Sequence, residues 1–165
     1  MAYRSEYDFV GGYDHGREAG MLHVADHRFV PGKKMWTWGA GDFGEAWNRH
    51  LTDDDGPYIE LMCGAFTDNQ PDFSWIQPGE ERRFRQYFLP YKTIGPSQNA
   101  STEVVLHLDI DGGEADMGVY LTCPRTIHVR LTLNDAAIYE QDHYLSPERA
   151  LLTRVRLPAG FSPAS

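Results

Sequence analysis

Alternation of apolar and polar positions dominates the chain and is clearest beyond residue 102. In 102–110, Val104, Leu106, Leu108 and Ile110 alternate with Val105, His107 and Asp109. Ala115, Met117, Val119 and Leu121 form the next apolar set. Ile127, Val129, Leu131 and Leu133 repeat the pattern against His128, Arg130 and Thr132, and Leu151, Thr153, Val155 and Leu157 repeat it again. A period of two sends one face of each segment into a core and the other into water, so all four are predicted strands. Asp111-Gly112-Gly113 and Asn134-Asp135 supply the turns. Short strands at this spacing predict a small immunoglobulin-like β-sandwich over 102–165, truncated before it would close.

The first 92 residues are less regular and rich in Trp, Tyr, Gly and Asp. One helix is predicted, over 42–51, with Asp42 as N-cap and Phe43, Ala46 and Trp47 at helical spacing. The rest reads as strands and loops. Thr93-Ile94-Gly95-Pro96-Ser97-Gln98-Asn99 has linker composition, which sets the expected boundaries at 1–92, 93–101 and 102–165. The predicted class is therefore all-β with one short helix.

Composition agrees with that class. Of 165 residues, 41% are hydrophobic and 13% aromatic, with 16 Gly and 10 Pro, a mix that favours strands and turns. The formal net charge of −9 argues against nucleic acid or an anionic membrane as the main partner. No apolar run approaches the roughly 20 residues of a membrane span. The opening Met-Ala-Tyr-Arg-Ser-Glu-Tyr has no apolar leader core, so the cytoplasm is the expected compartment. Cys63 and Cys123 stand alone in apolar runs and read as buried free thiols.

Candidate chemistry concentrates in the first half. Pro57-Tyr58-Ile59-Glu60-Leu61-Met62-Cys63 is an apolar strand with one carboxylate in its middle. A carboxylate among apolar groups resists ionisation and suits a general base. The alternative is a solvated Glu60 on a half-exposed face shared with Tyr58 and Met62. Lys34, Trp36 and Trp38 fall on one side of a strand after the Pro31-Gly32 turn, setting a cation beside two stacking surfaces. The alternative there is a core tryptophan pair with a snorkelling lysine. His23 and His27 have the helical spacing of a zinc pair, but on a strand they lie about 13 Å apart at roughly 3.3 Å per residue. Asp53-Asp54-Asp55-Gly56 lacks the alternate spacing of a calcium loop. No metal and no cofactor is expected.

Beyond Glu60 the chain continues Asp68-Asn69-Gln70-Pro71-Asp72-Phe73, then Ile76-Gln77-Pro78-Gly79-Glu80, then Phe84, Tyr87 and Phe88. Residues 56–80 thereby resemble the closing signature of aldose 1-epimerases (galactose mutarotases). The resemblance implies that 1–92 is the C-terminal portion of a mutarotase-like β-sandwich. It also implies that Glu60 is the base that takes the proton of the anomeric hydroxyl. Pro31-Gly32 and the strand after it are similar to a second motif of that family, and Lys34 stands where the family carries a sugar-binding glutamine. Tyr13-Asp14-His15 is similar to its Asp-His pair, which makes Asp14 and His15 sugar contacts; turn chemistry around Gly11-Gly12 is the alternative.

Through Gly-Gly-Tyr-Asp-His-Gly at 11–16, Gly-Lys-Lys-Met-Trp-Thr-Trp-Gly at 32–39 and Asp-Gly-Pro-Tyr-Ile-Glu-Leu-Met at 55–62, the stretch 11–91 also resembles an uncharacterised bacterial family in which such a domain precedes tetratricopeptide repeats, with a small β domain between. These resemblances imply a carbohydrate-binding portion of a larger protein, sugar-active through Glu60 in the parent, with a sugar or oligosaccharide as partner. The acid histidine of the mutarotase family should lie N-terminal to anything present here, so no turnover is expected of this chain. A non-catalytic structural or protein-interaction module is the alternative. Unpaired sheet edges make a homodimer an expected association.

Overall fold

The computed structural model describes residues 2–69, 72–158 and 161. They form β1 (Phe9–Asp14), β2 (Ala19–Val24), β3 (Lys34–Thr37), α1 (Asp42–Thr52), β4 (Ile59–Met62) and β5 (Tyr87–Lys92). There follow β6 (Asn99–Ala100), β7 (Val104–Asp111), β8 (Glu114–Leu121), β9 (Arg125–Leu133), β10 (Ala136–Leu145) and β11 (Leu151–Arg156). The protein is all-β with one short helix, and every strand pair whose register is resolved is antiparallel. No helix among the described residues is long and apolar enough to cross a membrane. The chain divides into two compact units, one of residues 1–10 and 25–86, the other of 11–24 and 87–165.

The second unit holds most of the apolar core. Its main sheet runs β11-β8-β7-β6, and β9 and β10 form a separate hairpin. Met117, Val119, Leu121 and Leu151 from the sheet pack with Val129 and Leu145 from the hairpin, giving two layers. The hairpin turns follow from sequence. Gly112 and Gly113 join β7 to β8 at φ 56° and 86°, and Asn134 and Asp135 join β9 to β10 at φ 48° and 64°. Two successive positive φ values define the tight turn that matches strand twist, and these residue types adopt it most readily.

The expected one-sided burial of β8 is corrected by the structure. Gly118 and Tyr120 are buried as well as Met117, Val119 and Leu121, because residues from 91–94 cover the second face. The Tyr91 and Tyr120 rings lie 6.3 Å apart, and a Cβ on Gly118 would sit 2.7 Å from that of Ile94. On β7 the phase is likewise shared: Val105 is fully buried, while Leu106 and Leu108 are partly exposed. Within 93–101, Ile94 is buried and Asn99–Ala100 pairs with β7. This unit also contains residues 11–14 of β1 with β2 and β5, in the order β1-β2-β5, and β2 and β5 pair from Ala19↔Lys92 to Val24↔Tyr87.

The first unit is thinner. Its buried apolar side chains are Ala25 and Val30, joined by the lysines Lys33 and Lys34. β3 and β4 form a two-stranded ribbon with Lys34↔Met62, Met35↔Leu61, Trp36↔Glu60 and Thr37↔Ile59 opposed. Helix α1 follows β3 directly. The N-cap is Gly41, not Asp42, and Asp42 lies in the first turn with Glu45. Carboxylates there face the positive end of the helix dipole, a favourable place for them without any side-chain cap. The cysteines also depart from expectation: Cys63 is half-buried and Cys123 exposed, both unpaired. Arg125 Nη2 lies 2.8 Å from Cys123 Sγ.

Candidate functional site

The ribbon β3–β4 sets alternate residues on one face, and that face forms the floor of a cavity of about 590 Å³. Lys34, Trp36 and Trp38 line it from the β3 side, and Tyr58, Glu60 and Met62 from the β4 side. Thr37 and the segment carrying Asp68, Asn69, Asp72 and Phe73 complete the lining. Four residues singled out from sequence, Lys34, Trp36, Trp38 and Glu60, therefore converge. Gln70 and Pro71 of the closing motif lie outside the described residues.

Each wall has a local cause. Lys34 is 93% buried, and its Nζ donates to the backbone carbonyl of Asp68. The ammonium thus ties Asp68 to the ribbon, a fixing role that neither reading of Lys34 foresaw. The Asp68 carboxylate accepts from the Ser74 hydroxyl. Trp38 stacks on Trp47 of α1, with centroids 4.7 Å apart and planes 12° from parallel. Gly44 permits that stack, because a Cβ there would come within 2.1 Å of the Gly39 carbonyl oxygen. Trp36 and Trp38 remain 39% and 40% exposed, so they do not form a core pair.

Glu60 is half-buried opposite Trp36. The Tyr58 hydroxyl donates to Glu60 Oε2 at 3.2 Å, and this bond to the carboxylate holds the Tyr58 phenol above its ordinary pKa. The apolar neighbours Ile59 and Leu61 point to the opposite face, where they are exposed with Met35. The surroundings of Glu60 are therefore aromatic and polar more than aliphatic. No histidine lines this cavity among the described residues.

Asp14 and His15 belong to the other unit. Asp14 Oδ1 accepts from the amides of Gly16 and Arg17 at 2.8 and 3.1 Å, which is turn chemistry. His15 lines a cavity of about 500 Å³ with Tyr13, Glu18, Thr93, His107 and Arg154. Thr93 there has φ 77° and Glu18 φ 49°, both left-handed for non-glycine residues.

The expected strand through 23–27 ends at Val24. His23 is buried against Phe88, with ring centroids 5.5 Å apart. His27 instead pairs with Asp8, which sequence reasoning missed: Nδ1 lies 2.7 Å from Asp8 Oδ1, and the His27 amide donates to the same oxygen at 2.9 Å. These bonds lower the Asp8 pKa, the amide contributing most. Asp26 completes a group whose ligand-type atoms lie within 4.8 Å of one another. Its two oxygens are held by the Arg28 guanidinium at 2.9 and 2.7 Å, which lowers its pKa to about 2. Asp8 Oδ1 and both Asp26 oxygens are thus already bonded to His27 and Arg28.

Sequence comparison assigns the two parts separately. Residues 3–93 match the model of a family described as a domain of unknown function, DUF5107. Residues 99–165 match the model described as the second domain of YphG-like proteins. No solved structure matches the chain. The first match spans more than half of the sequence and includes every residue lining the β3–β4 cavity: the chain belongs to the DUF5107 family.

Proposed function

We propose that the cavity over β3–β4 binds a sugar, with one or both tryptophans stacking on the ring and Glu60 accepting a hydrogen bond from a sugar hydroxyl. The observation that carries this reading is the convergence of Lys34, Trp36, Trp38 and Glu60 on one concave surface. Ligand sites combine apolar walls with a few placed polar groups, and this lining offers two indoles beside three carboxylates, an amide and two hydroxyls. Indole faces suit the C–H face of a pyranose, and carboxylates are strong acceptors for its hydroxyls. The residue order around Glu60 further supports a mutarotase-like origin for residues 1–92, with Glu60 in the base position.

The proposed activity of this chain is binding rather than turnover. General acid–base epimerisation needs a second group to protonate the ring oxygen, and the described lining offers no histidine for it. Calorimetric titration with D-glucose, D-galactose and short oligosaccharides, beside a Glu60→Gln variant, tests the reading. Measurable heats that weaken in the variant support it, and negligible heats from both proteins remove it.

A second reading rests on the reverse face of the ribbon. Met35 and Ile59 are 62% and 60% exposed there, beside Leu61, an apolar surface suited to packing against protein. In that reading the unit is an interaction module. Absence of all sugar binding, with Met35→Lys and Ile59→Lys variants losing a self-association that the unaltered chain shows in analytical ultracentrifugation, favours it.

A further inference from the structure

The balance of charge in the β3–β4 cavity narrows the class of sugar. Among the described lining residues, Glu60, Asp68 and Asp72 stand against the single cation Lys34. Lys34 is 7% exposed, with its Nζ committed to the Asp68 carbonyl, so a ligand meets the carboxylates before it meets the ammonium. The aromatic walls act in the same sense: the faces of Trp36 and Trp38 carry negative quadrupole potential and attract cations. Both kinds of wall favour positive charge, and the chain's net charge of −9 adds a field of the same sign.

We propose that the preferred ligand carries a protonated amine on the sugar ring, that is, an amino sugar without its acetyl group. This rests on the sugar-binding reading above and sharpens it. The ring stacks on an indole, and the ammonium donates to the Glu60 or Asp72 carboxylate. A neutral hydroxyl already donates to an ionised carboxylate; the ammonium adds a charge–charge attraction to that bond, so roughly a tenfold preference over the neutral sugar, about 1.4 kcal/mol, is expected. An acetylated amine loses both the charge and the preference. A uronic acid is disfavoured by its like charge.

The test uses tryptophan fluorescence and calorimetry on the full chain at about pH 6, where a sugar amine is protonated and carboxylates are ionised. The ligands are D-glucosamine, N-acetyl-D-glucosamine, D-glucose and tetramethylammonium. D-glucosamine should bind roughly tenfold more tightly than D-glucose or N-acetyl-D-glucosamine, and added salt should erode that advantage. A Glu60→Gln, Asp72→Asn double variant should bring the three sugars to similar affinity, and the salt series on the unaltered chain gives an independent readout if the variant misfolds. Equal binding of D-glucose and D-glucosamine overturns the charge preference and leaves the sugar reading standing. Tetramethylammonium binding as tightly as D-glucosamine overturns the sugar part. No binding by any of the four overturns both.

Discussion

Gly44 couples the helix to the cavity, and its replacement by alanine is a stringent test of how Trp38 is positioned. By intrinsic propensity alone, Gly44→Ala should stabilise α1 by about 1 kcal/mol. The structure opposes that gain. The new Cβ would lie 2.1 Å from the Gly39 carbonyl oxygen and 2.5 Å from that of Trp38, both backbone atoms that cannot swing aside. Restoring an ordinary contact of about 3.4 Å displaces the helix start by about 1.3 Å, enough to disturb the stack of Trp38 on Trp47. Overpacking of this kind costs about 1–3 kcal/mol, and losing an aromatic pair about 0.5–1.5 kcal/mol more. The net expectation is a loss of about 1–3 kcal/mol. Urea unfolding followed by tryptophan fluorescence reads the stability, and near-ultraviolet circular dichroism reads the indole stack. A variant as stable as the parent, with its aromatic spectrum unchanged, would refute this account of the close approach.

Other consequences follow from single residues. Thr93 holds φ 77°, where a β-branched residue is strained by about 1–2 kcal/mol, so Thr93→Gly should raise the melting temperature of the second unit; a fall would count against strain there. Lys33 is 1% exposed with its Nζ on the Tyr7 carbonyl, and burial lowers its pKa from the ordinary 10.5. Between the lowered value and 10.5 the unfolded chain binds more protons, so this residue makes stability rise with pH across that window. Lys33→Met should abolish the rise, as measured by urea midpoints in alkaline buffers. His128 donates between Asp142 and Glu140 at 2.7 and 3.1 Å, Asp142 chiefly raising its pKa above 6.5. Its small contribution is present below 6.5 and fades as pH rises through the raised value. Asp142→Asn should lower its titration midpoint in NMR spectra, and an unchanged midpoint would disprove the pairing.

Much of the second unit was legible because its turns and alternation agree. Asp111-Gly112-Gly113 and Asn134-Asp135 sit at the two tight hairpins, and the predicted strands fall on β7, β8, β9 and β11. β10 was not legible. Its register shifts between Ala137 and Tyr139, so the apolar phase changes within the strand and no clean period of two survives. Double-sided burial of β8 was equally hidden, since its cover comes from residues 91–94, distant in sequence.

In the first unit, alternation placed Lys34, Trp36 and Trp38 on one face, and the cavity gathers them with Glu60. Local patterns could not reveal that Lys34 would tie down Asp68, that Trp47 would back Trp38, or that Asp8 would meet His27 from 19 positions away. Those are tertiary contacts. The half-open character of the Glu60 strand was also invisible, because an apolar run reads alike whether or not a layer covers it.

The central claim is that Trp36, Trp38 and Glu60 form a sugar-binding surface, and saturation-transfer NMR tests it most directly. The chain is mixed in turn with D-glucose, D-galactose and D-glucosamine, and its aromatic protons are saturated. Transfer to the ring protons of at least one sugar, lost in Trp36→Ala or Trp38→Ala variants and weakened in Glu60→Gln, is the expected result. No transfer to any sugar, or transfer that survives all three substitutions, would contradict it.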